Sequence, residues 1–141
     1  MRHLALDVGD ERIGVALSDQ SGYLSRPLEV IPRRAGPASY VRLQEIIAQY
    51  KVERIVVGLP LLPDGREGQQ AQSVRAYVEG LRAHVAVPII YWDERHSTQR
   101  AAEALRENRA TRKRRQGAVD AVAAAVILQE YLDAQGGGLP R

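Results

Sequence analysis

The sequence predicts an α/β protein: a mixed β-sheet with helices on both faces. Three observations lead there. Up to Ile31 the chain holds strand-like runs joined by short turns containing Gly9 and Gly22, a spacing that makes the runs antiparallel neighbours. From Glu53 onward, strand-like runs alternate with helical patterns, as parallel strands with crossover helices do. The chain has 141 residues, 45% hydrophobic and 26% charged, which suits one globular domain rather than two or a disordered segment. A chain of this size buries roughly 70% of its unfolded surface.

Each element has its own justification. His3 to Val8 alternates as a strand, and Gly9-Asp10-Glu11 turns the chain. Arg12 to Ser18 is a second strand, Gln20-Ser21-Gly22 turns again, and Ser25 to Ile31 is a third. After the break at Gly36-Pro37, Val41, Ile46 and Ile47 lie near helical spacing, so Ser39 to Tyr50 reads as a helix with Ser39 as its N-cap. The β-branched run from Glu53 to Pro60 fits a strand buried on both faces. Leu62 to Gln70 is loop-like, Ala71 to His84 helical, and Val87 to Trp92 a strand that ends at Asp93-Glu94-Arg95. Ser97 or Thr98 caps a helix to about Asn108, Ala110 to Gln116 is a basic loop, and a last helix runs from Gly117 or Ala118 to about Leu132. The domain is expected over residues 1–135, with 136–141 a flexible, glycine-rich tail.

Composition removes several classes of function. With no cysteine, disulfides, thiolate zinc sites, iron–sulfur clusters and a cysteine nucleophile are excluded. No apolar run approaches the ~20 residues that cross a bilayer, and the N-terminus carries no signal-peptide pattern. The expectation is a soluble, cytoplasmic protein without a membrane partner. Aromatics are only 5%, with no Phe, which argues against base-stacking platforms. Lys and Arg total 20 against 17 acids, and all but Lys51 and Lys113 are arginines, whose planar fork suits phosphate oxygens. Placement says more than the total. Between Arg95 and Arg115 stand eight basic residues and two acids, Glu103 and Glu107, which suggests a polyanionic partner.

The carboxylates supply the candidate chemistry. Asp7 lies inside the first strand between Leu6 and Val8, where a charge is costly unless it is paired or bound to a metal. Asp93 and Glu94 end the last strand, where α/β sheets commonly place their chemistry. Asp120 begins an otherwise nearly apolar helix, sharing a face with Ala123, Ala124 and Ile127. Those small alanines would let the helix approach the sheet and bring Asp120 near Asp7. Carboxylates converging without Cys or His suit Mg²⁺ or Mn²⁺, and two such ions can drive phosphodiester hydrolysis. Arg12, Arg95 and the run Arg112-Lys113-Arg114-Arg115, just before Asp120, are the candidate phosphate-binding residues.

Four blocks, in order, carry a resemblance. They are Leu6-Asp7-Val8-Gly9 with Arg12 to Ala16; Val56 to Pro60 with Asp64-Gly65 and Gly68; Asp93-Glu94-Arg95 with Ser97-Thr98; and Val119-Asp120 with Ala123-Ala124 and Ile127-Leu128-Gln129. On these the chain resembles the YqgF family, also called RuvX, small bacterial nucleases of the RNase H-like fold. The resemblance implies a five-stranded mixed sheet of order 3-2-1-4-5. It also implies metal-dependent nuclease chemistry at Asp7, the Asp93/Glu94 pair and Asp120, with 5′-end maturation of pre-16S rRNA as the leading role. Related resolvases place an acid on the fourth strand, near Val57-Gly58, where this chain has none; the second ligand then comes from Asp93 or Glu94. Holliday junction resolution, which needs a dimer, and non-catalytic nucleic-acid binding, for instance on ribosomal particles, are the alternatives. The chain could act as a monomer or a homodimer.

Overall fold

A computed structural model describes residues 1–94 and 116–135. The strands are β1 (His3–Val8), β2 (Arg12–Ser18), β3 (Ser25–Pro32), β4 (Arg54–Leu59) and β5 (Ile89–Asp93). The helices are α1 (Ala38–Tyr50), α2 (Gln69–Arg82) and α3 (Gln116–Ala134). The helix expected over 97–108, the basic loop over 110–116 except its last residue, and the tail over 136–141 lie outside the described residues. The sheet order is β3-β2-β1-β4-β5, as expected. β1 runs antiparallel to β2 and parallel to β4, which in turn pairs in parallel with β5.

The period of two along each strand sorts the core into two layers. Leu4, Leu6, Val8, Ile13, Val15, Leu17, Ile55 and Val57 face α1 and α2, meeting Leu43, Ile46, Val74, Val78 and Leu81. Ala5, Ala16 and Val56 face α3, meeting Ala124, Ile127, Leu128, Tyr131 and Leu132. One sheet face is therefore large and aliphatic, the other built of small residues. The second face lets α3 lie close to the strands.

Two local expectations change. Ser39 does not cap α1: the N-cap is Pro37, with no side-chain cap bond. The Ser39 hydroxyl is buried and accepts a 2.8 Å hydrogen bond from Tyr77 Oη, so an interhelix contact takes the group that local sequence reserves for capping. On α3, Ala121 rather than Ala123 is fully packed, with Ala124 and Ile127 on the same face as expected.

Candidate active site

Strand alternation decides which acids can meet. Asp7 shares the α3 face with Ala5, and its cross-strand partner on β2 is Gly14. A Cβ on Gly14 would run into the backbone carbonyl of Asp120. The missing side chain therefore seats the first turns of α3 directly on β2, beside Asp7. Arg12, two residues before Gly14 and on the same face, donates from Nε to Asp120 Oδ2 at 2.8 Å and lies 3.6 Å from Glu11. Gly9, Asp10, Glu11, Arg12 and Asp120 line a cavity of about 260 Å³ at this end of the sheet.

The Asp93/Glu94 pair is separated by the same alternation. Asp93 is the last residue of β5, opposite Leu59, and is exposed. Glu94 follows Ile90 and Trp92 in parity, turns to the α3 face and is 7% exposed. Its carboxylate occupies the space that a side chain on Gly58 of β4 would fill, with Ile127 of α3 alongside. So the chain does bring an acid over β4, from the end of β5. Sequence alone left Asp93 and Glu94 equivalent; the register makes Glu94 the one turned inward.

Burial and mutual repulsion act on these groups together. Burial first, and then the Asp120 carboxylate, push Asp7 up to about 6. Burial, then Asp7, then Asp93 push Glu94 up to about 8. Glu94 Oε2 is buried without a hydrogen-bond partner among the described residues. Three acids from β1, β5 and α3 thus face one another across one end of the sheet. The ligands expected from the sequence are Asp7, Asp120 and one from the Asp93/Glu94 pair. Among the described residues no three His, Asp or Glu side chains stand close enough together to hold an ion. Asp120 is tied to Arg12, and Asp93 lies on the far side of β5's terminus.

What the residues offer a hard cation is donor chemistry: oxygen ligands only, one of them buried and unsatisfied, with repulsion that a positive ion would relieve. This has a measurable consequence. A carboxyl whose pKa is raised by folding favours the folded state while protonated, and that contribution is lost as pH rises from the unfolded value of 4.5 through about 8 for Glu94. Glu94→Gln in EDTA should therefore unfold at about the same temperature as wild type near pH 4.5. By pH 8.5 it should gain on the order of 2–4 kcal/mol over wild type. Calorimetric scans at several pH values check this, and parallel curves would refute it. Adding Mg²⁺ or Mn²⁺ at pH 8 should stabilise wild type more than the variant.

Of the expected phosphate-binding residues, Arg12 is engaged with Asp120, while Arg95, Arg112, Lys113, Arg114 and Arg115 lie outside the described residues. Gly14 and Gly58 were not singled out as site residues by the sequence reading. Each is a glycine inside a strand, the signal of a close approach.

The sheet order, with an aspartate in mid-strand β1 and acids at the end of β5 and the start of α3, places the chain in the RNase H-like fold class. The model of the family described as RuvX, Holliday junction resolvase, matches residues 1–134, and the chain belongs to that family. A protein of Symbiobacterium thermophilum named "Putative pre-16S rRNA nuclease" is 47% identical over 135 residues, 96% of this chain and 94% of its own. One of the same name from Desulforudis audaxviator is 43% identical over 98% of both chains. Among solved structures, Thermus thermophilus RuvC in complex with a Holliday junction substrate superposes with a TM-score of 0.58 at 18% identity, covering 98% of both chains. The Fowlpox virus resolvase bound to Holliday junction DNA gives 0.57 at 7% identity, over 96% of this chain and 99% of that one. These two show the shared fold.

Proposed function

We propose that the protein is a divalent-metal-dependent nuclease that hydrolyses phosphodiester bonds of precursor 16S rRNA during maturation of its 5′ end. The observation that carries the metal-dependent reading is the buried, unsatisfied Glu94 carboxylate facing Asp7 on one side of the sheet. The substrate rests on the relatives, at 43–47% identity over nearly the full chain. Asp7, Glu94 and Asp120 would supply oxygen ligands to Mg²⁺ or Mn²⁺, drawing closer together around the ion than they stand without it, with Asp93 outside the set. When bound, such an ion supplies positive charge to the phosphate and lowers the pKa of a water.

The chain's own residues do the rest. Gly58 leaves room for the Glu94 carboxylate, and Gly14 brings Asp120 down to β2. Arg12 orients Asp120. Arg95 and the run from Arg112 to Arg115 would grip backbone phosphates, which fixes register without reading bases. The work would be done in the cytoplasm, on ribosomal particles; among the described residues no helix is long and apolar enough to cross a membrane.

The family description favours one further reading, cleavage of four-way DNA junctions by a homodimer. The test is a cleavage assay of the full chain with Mg²⁺ or Mn²⁺ on three substrates: an rRNA precursor, an unstructured RNA and a four-way junction. The expected result is cleavage at the precursor's 5′ side, abolished by EDTA. Symmetric nicking of the junction with the precursor untouched would overturn the rRNA assignment. Cleavage undiminished by EDTA would overturn metal dependence.

A further inference from the structure

A cavity of about 650 Å³ lies beside the acid site rather than in it. It opens between the β3–α1 connection and α2, and Asp10 lines both it and the smaller acid-site cavity. Its volume falls in the range of small-molecule sites, roughly 300–1,000 Å³. Its lining joins two kinds of chemistry.

The first is cationic. Arg33 is locked in place: Nη1 donates to the Gly9 carbonyl at 3.1 Å and to Ser73 Oγ at 2.9 Å, and Nη2 to the Ser73 carbonyl at 3.1 Å. Its guanidinium lies 5.2 Å from the Tyr77 ring centroid. Arg33 therefore ties the cavity wall to the turn that follows Asp7. Arg34 is exposed and has no hydrogen-bond or ion-pair partner among the described residues. Asp10 is the only acid on the lining, against two arginines.

The second is aromatic. Tyr77, Tyr40 and His84 pack ring against ring: the tyrosine centroids lie 4.8 Å apart with the rings tilted by 38°, and Tyr40 stacks on His84 at 4.9 Å, 22° from parallel. Tyr40 is fixed by its Oη bond to the Tyr77 carbonyl, over Gly80, where a Cβ would strike that hydroxyl. Tyr77 is buried and His84 half-buried, so His84 is the outer plate. A free guanidinium beside a stacked ring is the pair that recognises a phosphate joined to a base.

We infer that this cavity seats a nucleotide of the substrate strand next to the cleaved bond, its phosphate on Arg34 and its base on the Tyr40–His84 stack. The inference rests on the nuclease reading of the acid site and extends the footprint of the strand beyond it. A free nucleotide has the same chemistry, and the test separates the two.

The experiment measures binding of a labelled 12-nucleotide single-stranded RNA by fluorescence anisotropy in EDTA, and of AMP by calorimetry. It compares wild type with Arg34→Glu and His84→Ala. The His84 carbonyl still receives Gln44 in the second variant, and thermal melts confirm that both are folded. Arg34→Glu should weaken RNA binding on the order of tenfold near 0.1 M salt and flatten the salt dependence by about one phosphate. His84→Ala should weaken it about fivefold. Wild-type RNA affinity in both folded variants overturns the proposal. Loss of AMP binding with RNA affinity unchanged overturns the strand assignment and leaves a mononucleotide site. If wild type fails to cleave the rRNA precursor while both variants lose RNA affinity, the cavity assignment stands and the substrate reading fails.

Discussion

Asp7→Asn should abolish cleavage, with a rate loss of 10²-fold or more, while leaving the protein folded and able to bind RNA. The side chain sits at the centre of the site, coupled to Asp120 on one side and Glu94 on the other. Asparagine keeps its shape and removes its charge. Because folding raises the Asp7 pKa to about 6, the charge opposes folding above that pH. The variant should thus melt slightly higher than wild type at pH 8 without metal. Loss of activity with unchanged or raised melting temperature is the expected signature in single-turnover assays and thermal scans. Full activity would remove Asp7 from the site; inactivity through unfolding would leave it a packing residue.

Gly14→Ala should carry the largest stability cost. The added methyl would meet the Asp120 carbonyl, and backbone on both sides has little room to give. Overpacking of this kind costs about 1–3 kcal/mol, or on the order of 5–10 °C in melting temperature for a domain of this size. α3 must lift from β2 to admit the methyl, carrying Asp120 with it. Cleavage should therefore fall more than tenfold even in the folded fraction. An alanine variant with wild-type melting and rate would show that α3 does not rest on Gly14.

These two residues illustrate what was legible in the sequence. Asp7 stood out because a charge between Leu6 and Val8 violates the strand's pattern, and β1 and β2 kept their expected boundaries because alternation and turn chemistry agree there. The contact at Gly14 depends on helix α3, over a hundred residues further along the chain, so no local signal could state it. Asp93 and Glu94 differ only in parity at a strand end, and a one-residue shift in register would exchange them. The contacts among Tyr40, Tyr77 and His84 were not legible in the composition. Low aromatic content does not prevent three rings from meeting when α1 and α2 bring them together. Ser39 misled as a cap because Tyr77, on another helix, claims its hydroxyl.

Gly58 and Glu94 share a single slot: the bare α-carbon of one is what admits the carboxylate of the other. Gly58 therefore cannot gain a side chain while residue 94 keeps its full length. An acid grafted onto β4 would compete for space already taken, so transferring the carboxylate there requires trimming residue 94 in the same step.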